Sequence, residues 1–571
     1  MKTMFMLTDW KAWLEIIILF FSLLILSLPL GRYLAKVYQG EAVWFDKIAR
    51  PVEKAIYKIS KINPIEQMTW QEYAKSVLAL GIVSFFALYL LLRFQAYLPL
   101  NPQHYLAIQH DMAFNIAISF LTNTNWQSYE GEKVLSYFSQ MVGLGVQNFI
   151  SAGTGMAVAV ALIRGITRTG ESSLGNFWVD ITKSIIYILL PLAIIMAILL
   201  GSQGVIQNFN EYLSVPVLDS TSAMQTIPGG PVASQVAIKQ LGTNGGGFFG
   251  ANSAYPFENP SPFSNFLQLM AILLIPVSFI IAYGEMIKDT KQSNALLGLL
   301  LTIFVLAFSF CVYHEFSDSI MPFEGKEYRN GILSSILWTV STTATANGST
   351  NSLIEFFVPL VKMVPLFFML TGEVVFGGVG QGLYTLILYI FITIFMAGLM
   401  AGRMPEYLGK KIEVYEIKMT MLAILIPVLT VLLFFVIATQ IPDIKRQLSY
   451  QGAKGFTELL YGFASTTANN GSALTGLMAN TSALNIIFGV TMLLGRYGLI
   501  LPVLAIAGNL ARKTTALEKD QSFARSSMVS TSSLIFMILL FNVILIISLL
   551  SFMPVILMGP IAEYLLGVKM G

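Results

Sequence analysis

Four short polar phrases interrupt an otherwise apolar sequence: Thr122-Asn123-Thr124, Thr243-Asn244-Gly245, Ala346-Asn347-Gly348 and Asn469-Asn470-Gly471. The central Asn returns at intervals of roughly 100 to 120 residues, the mark of an internal repeat. These residue types suit one task, the replacement of water around a bare monovalent cation. Neutral carbonyl, amide and hydroxyl oxygens coordinate such an ion without holding it so tightly that it cannot leave. Gly permits backbone angles that turn carbonyls toward one axis. Asn and Thr bring acceptors of their own. A divalent ion would call for clustered carboxylates. The loops carry none, which favours potassium or sodium over calcium or magnesium.

Two plainer readings compete. Gly and Asn also mark ordinary loops, although four copies at matched positions ask for more than that. Gly242-Thr243-Asn244-Gly245-Gly246-Gly247 has the glycines of a phosphate cradle. It lacks the preceding strand, the Lys-Ser/Thr pair and the downstream acid that such a cradle needs.

Loops of this kind need a frame, and the composition says what it is. Of 571 residues, 55% are hydrophobic and 11% charged, whereas soluble domains carry about 25% charged residues. Lipid must therefore be the solvent for much of this chain. Irregular backbone survives at membrane depth only where it lines a cavity or is buried in protein. The basic residues form no stripe of the nucleic-acid-binding kind. The single Cys311 excludes an internal disulfide, and His104, His110 and His314 show no metal-ligand spacing.

About 20 apolar residues cross a bilayer, and ten segments reach that length. They cover about 12–30, 76–98, 137–163, 184–206, 265–284, 294–313, 356–402 (interrupted), 419–440, 484–508 and 533–556. The first has mixed charges before it and no small-x-small cleavage site after it, so it reads as a retained span rather than a signal peptide. Placing the amino terminus outside puts about 21 Lys and Arg in the inside segments and about 10 outside, in accord with the positive-inside rule. Both termini are then outside, and all four polar phrases fall on the outer side.

A moderately apolar stretch the length of one short helix precedes each phrase: Asp111–Leu121, Val232–Leu241, Gly331–Val340 and Gly455–Ala464. The expected fold is all-α and integral to the membrane. It has about ten transmembrane helices, arranged as four pseudo-repeats of helix, pore helix, filter loop and helix, plus two extra helices. The expected segments are 1–70 (first span and basic loop), 71–175, 176–292, 293–414 and 415–525 (the four repeats), and 526–571 (last span).

Two further places carry chemistry. Between 359 and 384, Pro359 and Pro365 break a helix, and Gly372, Gly377, Gly378, Gly380 and Gly382 follow, with Lys362 and Glu373 at membrane depth. This suits an intramembrane gating loop under the filter. A kink whose charges only anchor neighbouring helices is the plainer alternative. Arg496 sits inside the last repeat and must face the bundle interior, because a charge at a helix centre costs about 2.5–3.5 kcal/mol. It either repels or replaces an ion on the straight path, or it pairs structurally with Glu373 or a backbone carbonyl.

Several long motifs resemble those of the KdpA family, the potassium-binding subunits of bacterial Kdp potassium-transporting ATPases. They are Ser119–Tyr129, Gly242–Phe249, Gly372–Gly380, Gly402–Lys411 and Asn469–Ala473, and the similarity runs from about residue 70 to the carboxyl terminus. The resemblance implies a potassium-transporter superfamily built from four non-identical pore repeats. It places Asn123, Thr243, Gly245, Gly348 and Gly471 at the potassium filter, flanked by Thr122, Asn244, Asn347 and Asn470. It supports a gating role for Gly372, Glu373, Gly377 and Gly378, and a cation such as Arg496 below the filter. It implies a P-type ATPase partner (KdpB), a single-span subunit (KdpC) and a small one (KdpF) in the bacterial cytoplasmic membrane. The chain would capture K+ outside and hand it sideways to KdpB. Two departures stand out: Thr124 where the other phrases have Gly, and Asn347 where many relatives have Cys.

No Walker A motif is present, nor the Asp-Lys-Thr-Gly-Thr phosphorylation sequence, and no inside loop has room for a nucleotide domain. The chain is thus expected to be a non-catalytic subunit with no ATP site. A self-sufficient K+ channel or cation symporter of the same superfamily is the alternative. An intramembrane enzyme finds no support in paired carboxylates, His-Glu-x-x-His or a Ser-His constellation.

Overall fold

The computed structural model describes residues 10–217, 224–319, 323–402, 404–514 and 530–567. Lys2 and Asp9 of the amino-terminal flank, Arg403, and Lys519 and Arg525 of the last inside segment lie outside the described residues. Among the described residues, ten helices are long and apolar enough to span a membrane.

The chain opens with α1 (Trp10–Gln39), followed by a mostly exposed amphipathic helix, α2 (Asp46–Ser60). The first repeat is α3 (Trp70–Tyr97), the short α4 (His110–Leu121) and α5 (Ser139–Thr167). The second is α6 (Phe177–Ser202), α7 (Val232–Leu241) and α8 (Pro262–Ile287). The third is α9 (Thr290–Asp318), α10 (Gly331–Ala344), and a second span split into α11 (Pro359–Leu370) and α12 (Gln381–Met400). The fourth is α13 (Val414–Gln440), α14 (Gly452–Ala468) and α15 (Ser482–Arg512), and α16 (Leu534–Gly567) closes the chain. The short helices α4, α7, α10 and α14 coincide with the four stretches expected before the polar phrases. Two of them run longer than expected, to Ala344 and Ala468.

Burial divides the spans into two rings. In the last span of each repeat, α5, α8, α12 and α15, 78%, 83%, 72% and 67% of the apolar window is buried. In the other six the share is 28–39%. The outer six leave most of that apolar window unburied, while the inner four pack on one another and on the pore helices. Small residues allow the close approach, as lipid-embedded interfaces require. A Cβ on Gly165 of α5 would lie 2.5 Å from the Ala507 carbonyl oxygen of α15, and one on Gly495 would lie 1.9 Å from that of Thr467.

Among the described residues, three two-stranded ribbons complete the fold, which the all-helical expectation left out: β1 (Met68–Thr69) with β2 (Ser173–Gly175), β3 (Leu213–Pro216) with β4 (Met224–Ile227), and β5 (Glu406–Tyr407) with β6 (Lys410–Lys411). The last is tied to the ends of the inner helices. Lys410 Nζ donates to the carbonyls of Gly165 (2.9 Å), Leu510 (2.8 Å) and Arg168. Tyr407 bonds Tyr283 of α8 and accepts from Gln292 Nε2 at 2.7 Å.

Candidate functional site

The four pore helices end alike. Beyond each helix, one backbone N–H reaches five residues back: Thr124 to Ser119, Asn244 to Lys239, Asn347 to Thr342 and Asn470 to Ser465, all at 2.9 Å. The residue just before each of these has left-handed φ: Asn123 (68°), Thr243 (45°), Ala346 (52°) and Asn469 (61°). So does the residue just after: Asn125 (50°), Gly245 (73°), Gly348 (85°) and Gly471 (98°).

This geometry corrects the register of the first phrase by one residue. Thr124, not Asn123, corresponds to Asn244, Asn347 and Asn470. Asn125, not Thr124, stands where the others have Gly. The slip has a simple cause: two Asn residues bracket Thr124, and no glycine marks the turn. Asn is the non-glycine residue that tolerates the left-handed region best.

The loops form a closed ring. A Cβ on Gly245 would come within 1.7 Å of the Asn347 carbonyl oxygen. One on Gly348 would meet that of Asn470 at 2.0 Å, and one on Gly471 that of Thr124 at 2.0 Å. Loop 2 therefore abuts loop 3, loop 3 abuts loop 4, and loop 4 abuts loop 1. Side-chain amides close the circle, with Asn123 Nδ2 donating to Thr243 O and Asn125 Nδ2 to Gly245 O, each at 2.9 Å. Asn347 Nδ2 reaches Lys239 O (3.3 Å), Asn470 Nδ2 reaches Thr342 O (3.0 Å), and Asn469 Nδ2 reaches Thr124 Oγ1 (3.0 Å). Asn244 Nδ2 bonds Asn123 Oδ1 at 2.5 Å, and Thr122 Oγ1 caps its own helix at Ile118 O. A cavity of about 560 Å³ lies against all four loops, lined by Asn125, Gly246, Gly348 and Gly471.

The segment between α11 and α12 lies on the same loops. Gly377 N donates to Ala344 O (2.8 Å), and Val379 N donates to Thr243 Oγ1 (3.0 Å). A Cβ on Gly378 would sit 3.2 Å from that of Ala346. Gly372, Glu373, Phe376, Gly377 and Gly380 all have positive φ, so the chain turns sharply here instead of continuing the helix. Gly377 and Gly382 approach too closely for either to carry a side chain. Glu373 is fully buried and accepts from Asn470 Nδ2 at 2.8 Å, with its second oxygen unpartnered. Lys362 is elsewhere, in an ion pair with Glu563 at 2.5 Å.

Arg496 is buried beside this segment. Nη1 donates to Gln381 Oε1 and Nη2 to Ser151 O, both at 2.9 Å. Of the two structural pairings open to it, the backbone carbonyl is realised and Glu373 is not. Among the described residues no carboxylate lies within ion-pair distance of it. Gln381, Ser151 and Asn148, whose Oδ1 accepts from Asn125 Nδ2 at 2.9 Å, escaped sequence reading because they lie on inner helices, away from any repeated phrase.

Residues 17–565 match the family model described as KdpA, potassium-transporting ATPase A subunit. The chain belongs to the KdpA family. The match begins some 50 residues earlier than the motif resemblance, so it takes in most of α1 and all of α2. A relative from Pseudomonas entomophila is 46% identical over 96% of this chain and 98% of its own length, and is called a potassium-transporting ATPase potassium-binding subunit. One of the same name from Sorangium cellulosum is 47% identical over 95% of this chain and 96% of its own. Among solved structures, the potassium transporter TrkH from Vibrio parahaemolyticus aligns at TM-score 0.49 and 16% identity, over 72% of this chain and 83% of that one.

Proposed function

We propose that this chain is the selective K+-binding subunit of an ATP-driven uptake pump. The observation that carries this is the closed ring of four unlike loops, built from neutral oxygens, in a chain of the KdpA family. A bare K+ needs several oxygens to replace its water shell, and a ring presents them from all sides at once. Thr122, Asn123, Thr243, Asn244, Gly245, Asn347, Gly348, Asn470 and Gly471 form or brace that ring, and Asn125 joins them. The braces fix the size of the opening, because each amide that spans two loops resists their separation.

Below the ring, the Gly372–Gly380 segment and Arg496 close the straight path to the cytoplasm. The segment bonds directly to Thr243 and Ala344. The Arg496 cation adds electrostatic repulsion where a K+ would otherwise continue. The ion then leaves sideways to a P-type ATPase partner (KdpB), assisted by KdpC and KdpF. This chain contributes selectivity and occlusion, and the partner contributes ATP hydrolysis. The complex sits in the bacterial cytoplasmic membrane with the ring facing outside and both termini of this chain outside.

Co-expression with the neighbouring subunits tests the reading. K+-stimulated ATP hydrolysis that requires this chain is expected. K+ flux through the purified chain alone in liposomes would overturn it in favour of a self-sufficient channel or symporter.

A further inference from the structure

The residue that accepts the five-back bond occupies the same place in each pore helix: Ser119, Lys239, Thr342 and Ser465. In each repeat its side chain also bonds the loop that follows. Ser119 Oγ donates to Trp126 O (3.0 Å), Thr342 Oγ1 to Asn347 Oδ1 (3.2 Å), and Ser465 Oγ accepts from Gly471 N (3.0 Å). Three of the four are small hydroxyls. The second repeat places a lysine there instead.

Lys239 and its partner Glu258 are 1% and 0% exposed. Lys239 Nζ donates to Glu258 Oε2 at 2.5 Å and to Gly246 O at 2.9 Å. Glu258 Oε1 accepts from Phe249 N at 2.9 Å, and Gln268 Nε2 donates to Glu258 O. The Lys239 carbonyl meanwhile holds Asn244 N and Asn347 Nδ2. One residue thus touches loop 2 through its side chain and loop 3 through its backbone. Gly246 follows Gly245 in the ring and lines the cavity.

A buried ion pair at this position is unusual on physical grounds. A small hydroxyl would hold the loop at no cost in charge desolvation, as it does in the other repeats. The lysine must therefore do something a hydroxyl does not. Its reach spans the turn Gly245–Gly247, whose glycines carry no side chains of their own: Asn125 holds the Gly245 carbonyl and Gln127 holds Gly247 from loop 1, and Lys239 alone of these three holds Gly246 from within the second repeat. Its charge is tolerable beside a cation site only because Glu258 cancels it.

We propose that Lys239 and Glu258 are positioning residues for ion selectivity. Lys239 clamps loop 2, and Glu258 keeps the clamp electrically neutral toward the bound cation. This rests on the reading of the ring as a K+ site.

The test uses the complex with its ATPase partner and reads KM and kcat of hydrolysis stimulated by K+ and by Na+. Glu258→Gln leaves an unpaired ammonium beside the ring, so KM for K+ should rise at least about tenfold with kcat changed less than about twofold. Lys239→Met frees the Gly246 carbonyl and leaves an anion, so K+ over Na+ discrimination should fall at least about tenfold, with KM for K+ unchanged or lower. Lys239→Arg keeps charge and donors and should retain discrimination to within about threefold.

If Lys239→Met fails to assemble, Lys239→Met with Glu258→Gln buries no net charge and carries the test, with KM near wild type but discrimination lost. Wild-type KM and discrimination in assembled Glu258→Gln and in either Lys239→Met form would overturn the proposal and leave the pair purely structural. Absence of K+ stimulation in the wild-type complex would instead sink the functional reading, whatever the variants do.

Discussion

At the scale of single residues, the glycines of the ring are fixed by two independent constraints. Gly348 has φ +85°, and its absent Cβ would lie 2.0 Å from the Asn470 carbonyl oxygen. An L side chain in the left-handed region costs about 1–2 kcal/mol before any collision. Gly452, at the start of α14, has φ +66° but nothing within 4 Å. Gly348→Ala should therefore weaken K+ binding at least about tenfold, which is about 1.4 kcal/mol, while Gly452→Ala should leave it unchanged. Apparent KM for K+ in the purified complex checks both. Arg496→Met removes a cation that, among the described residues, no carboxylate balances. It should permit passive K+ leak in liposomes while shifting the KM for K+ less than about threefold, because the ring itself is untouched. A lower unfolding midpoint without leak would make Arg496 a brace only.

The residues of the ring were largely legible in the amino-acid pattern, because glycine and asparagine advertise left-handed turns. Asn125 was not, since its neighbours offered an equally good match one step away. Lys239 and Glu258 were also invisible, because a lysine in a short outer helix reads as surface until its burial is known.

At the scale of elements, the short helices before each loop could be placed from sequence because each joins a moderately apolar stretch to a fixed phrase. The split between α11 and α12 was legible too, through the glycines from Gly372 onward, whereas Pro365, expected to break the helix, lies inside α11. What the segment touches was not, since that depends on three other repeats folding around it. The β5–β6 hairpin shows the same limit. Its motif is plain in the sequence, but only the fold brings Lys410 to the carboxyl-terminal ends of α5 and α15. Those ends leave carbonyls without intrahelical partners. Lys410 bonds the carbonyls of Gly165, Arg168 and Leu510, the last of which also accepts from Lys513 N. Lys410→Met should destabilise the protein by about 2–4 kcal/mol, since each buried carbonyl left unpaired costs about 1–3 kcal/mol. Thermal unfolding in detergent should show a lowered midpoint, and Lys410→Arg should recover most of it.

At the scale of the whole molecule, orientation decides what the ring can do. A filter that faces outside captures ions before the membrane potential or a partner moves them, and one that faces inside would release them. The excess of basic residues in alternate connections predicts that the ring faces outside. The fold makes it testable, because native Cys311 is buried and a Cys311→Ser background is free of other thiols. Tyr328 is 84% exposed in the connection between α9 and α10, on the side of the ring. Lys61 lies beyond the end of α2, in the connection between α1 and α3, and is exposed on the opposite side in this topology. A membrane-impermeant maleimide should label Tyr328→Cys in intact cells from which any outer envelope has been removed. It should label Lys61→Cys only after the membrane is permeabilised. The reverse pattern would place the ring at the cytoplasmic face, and no arrangement of neutral oxygens there could serve uptake from outside.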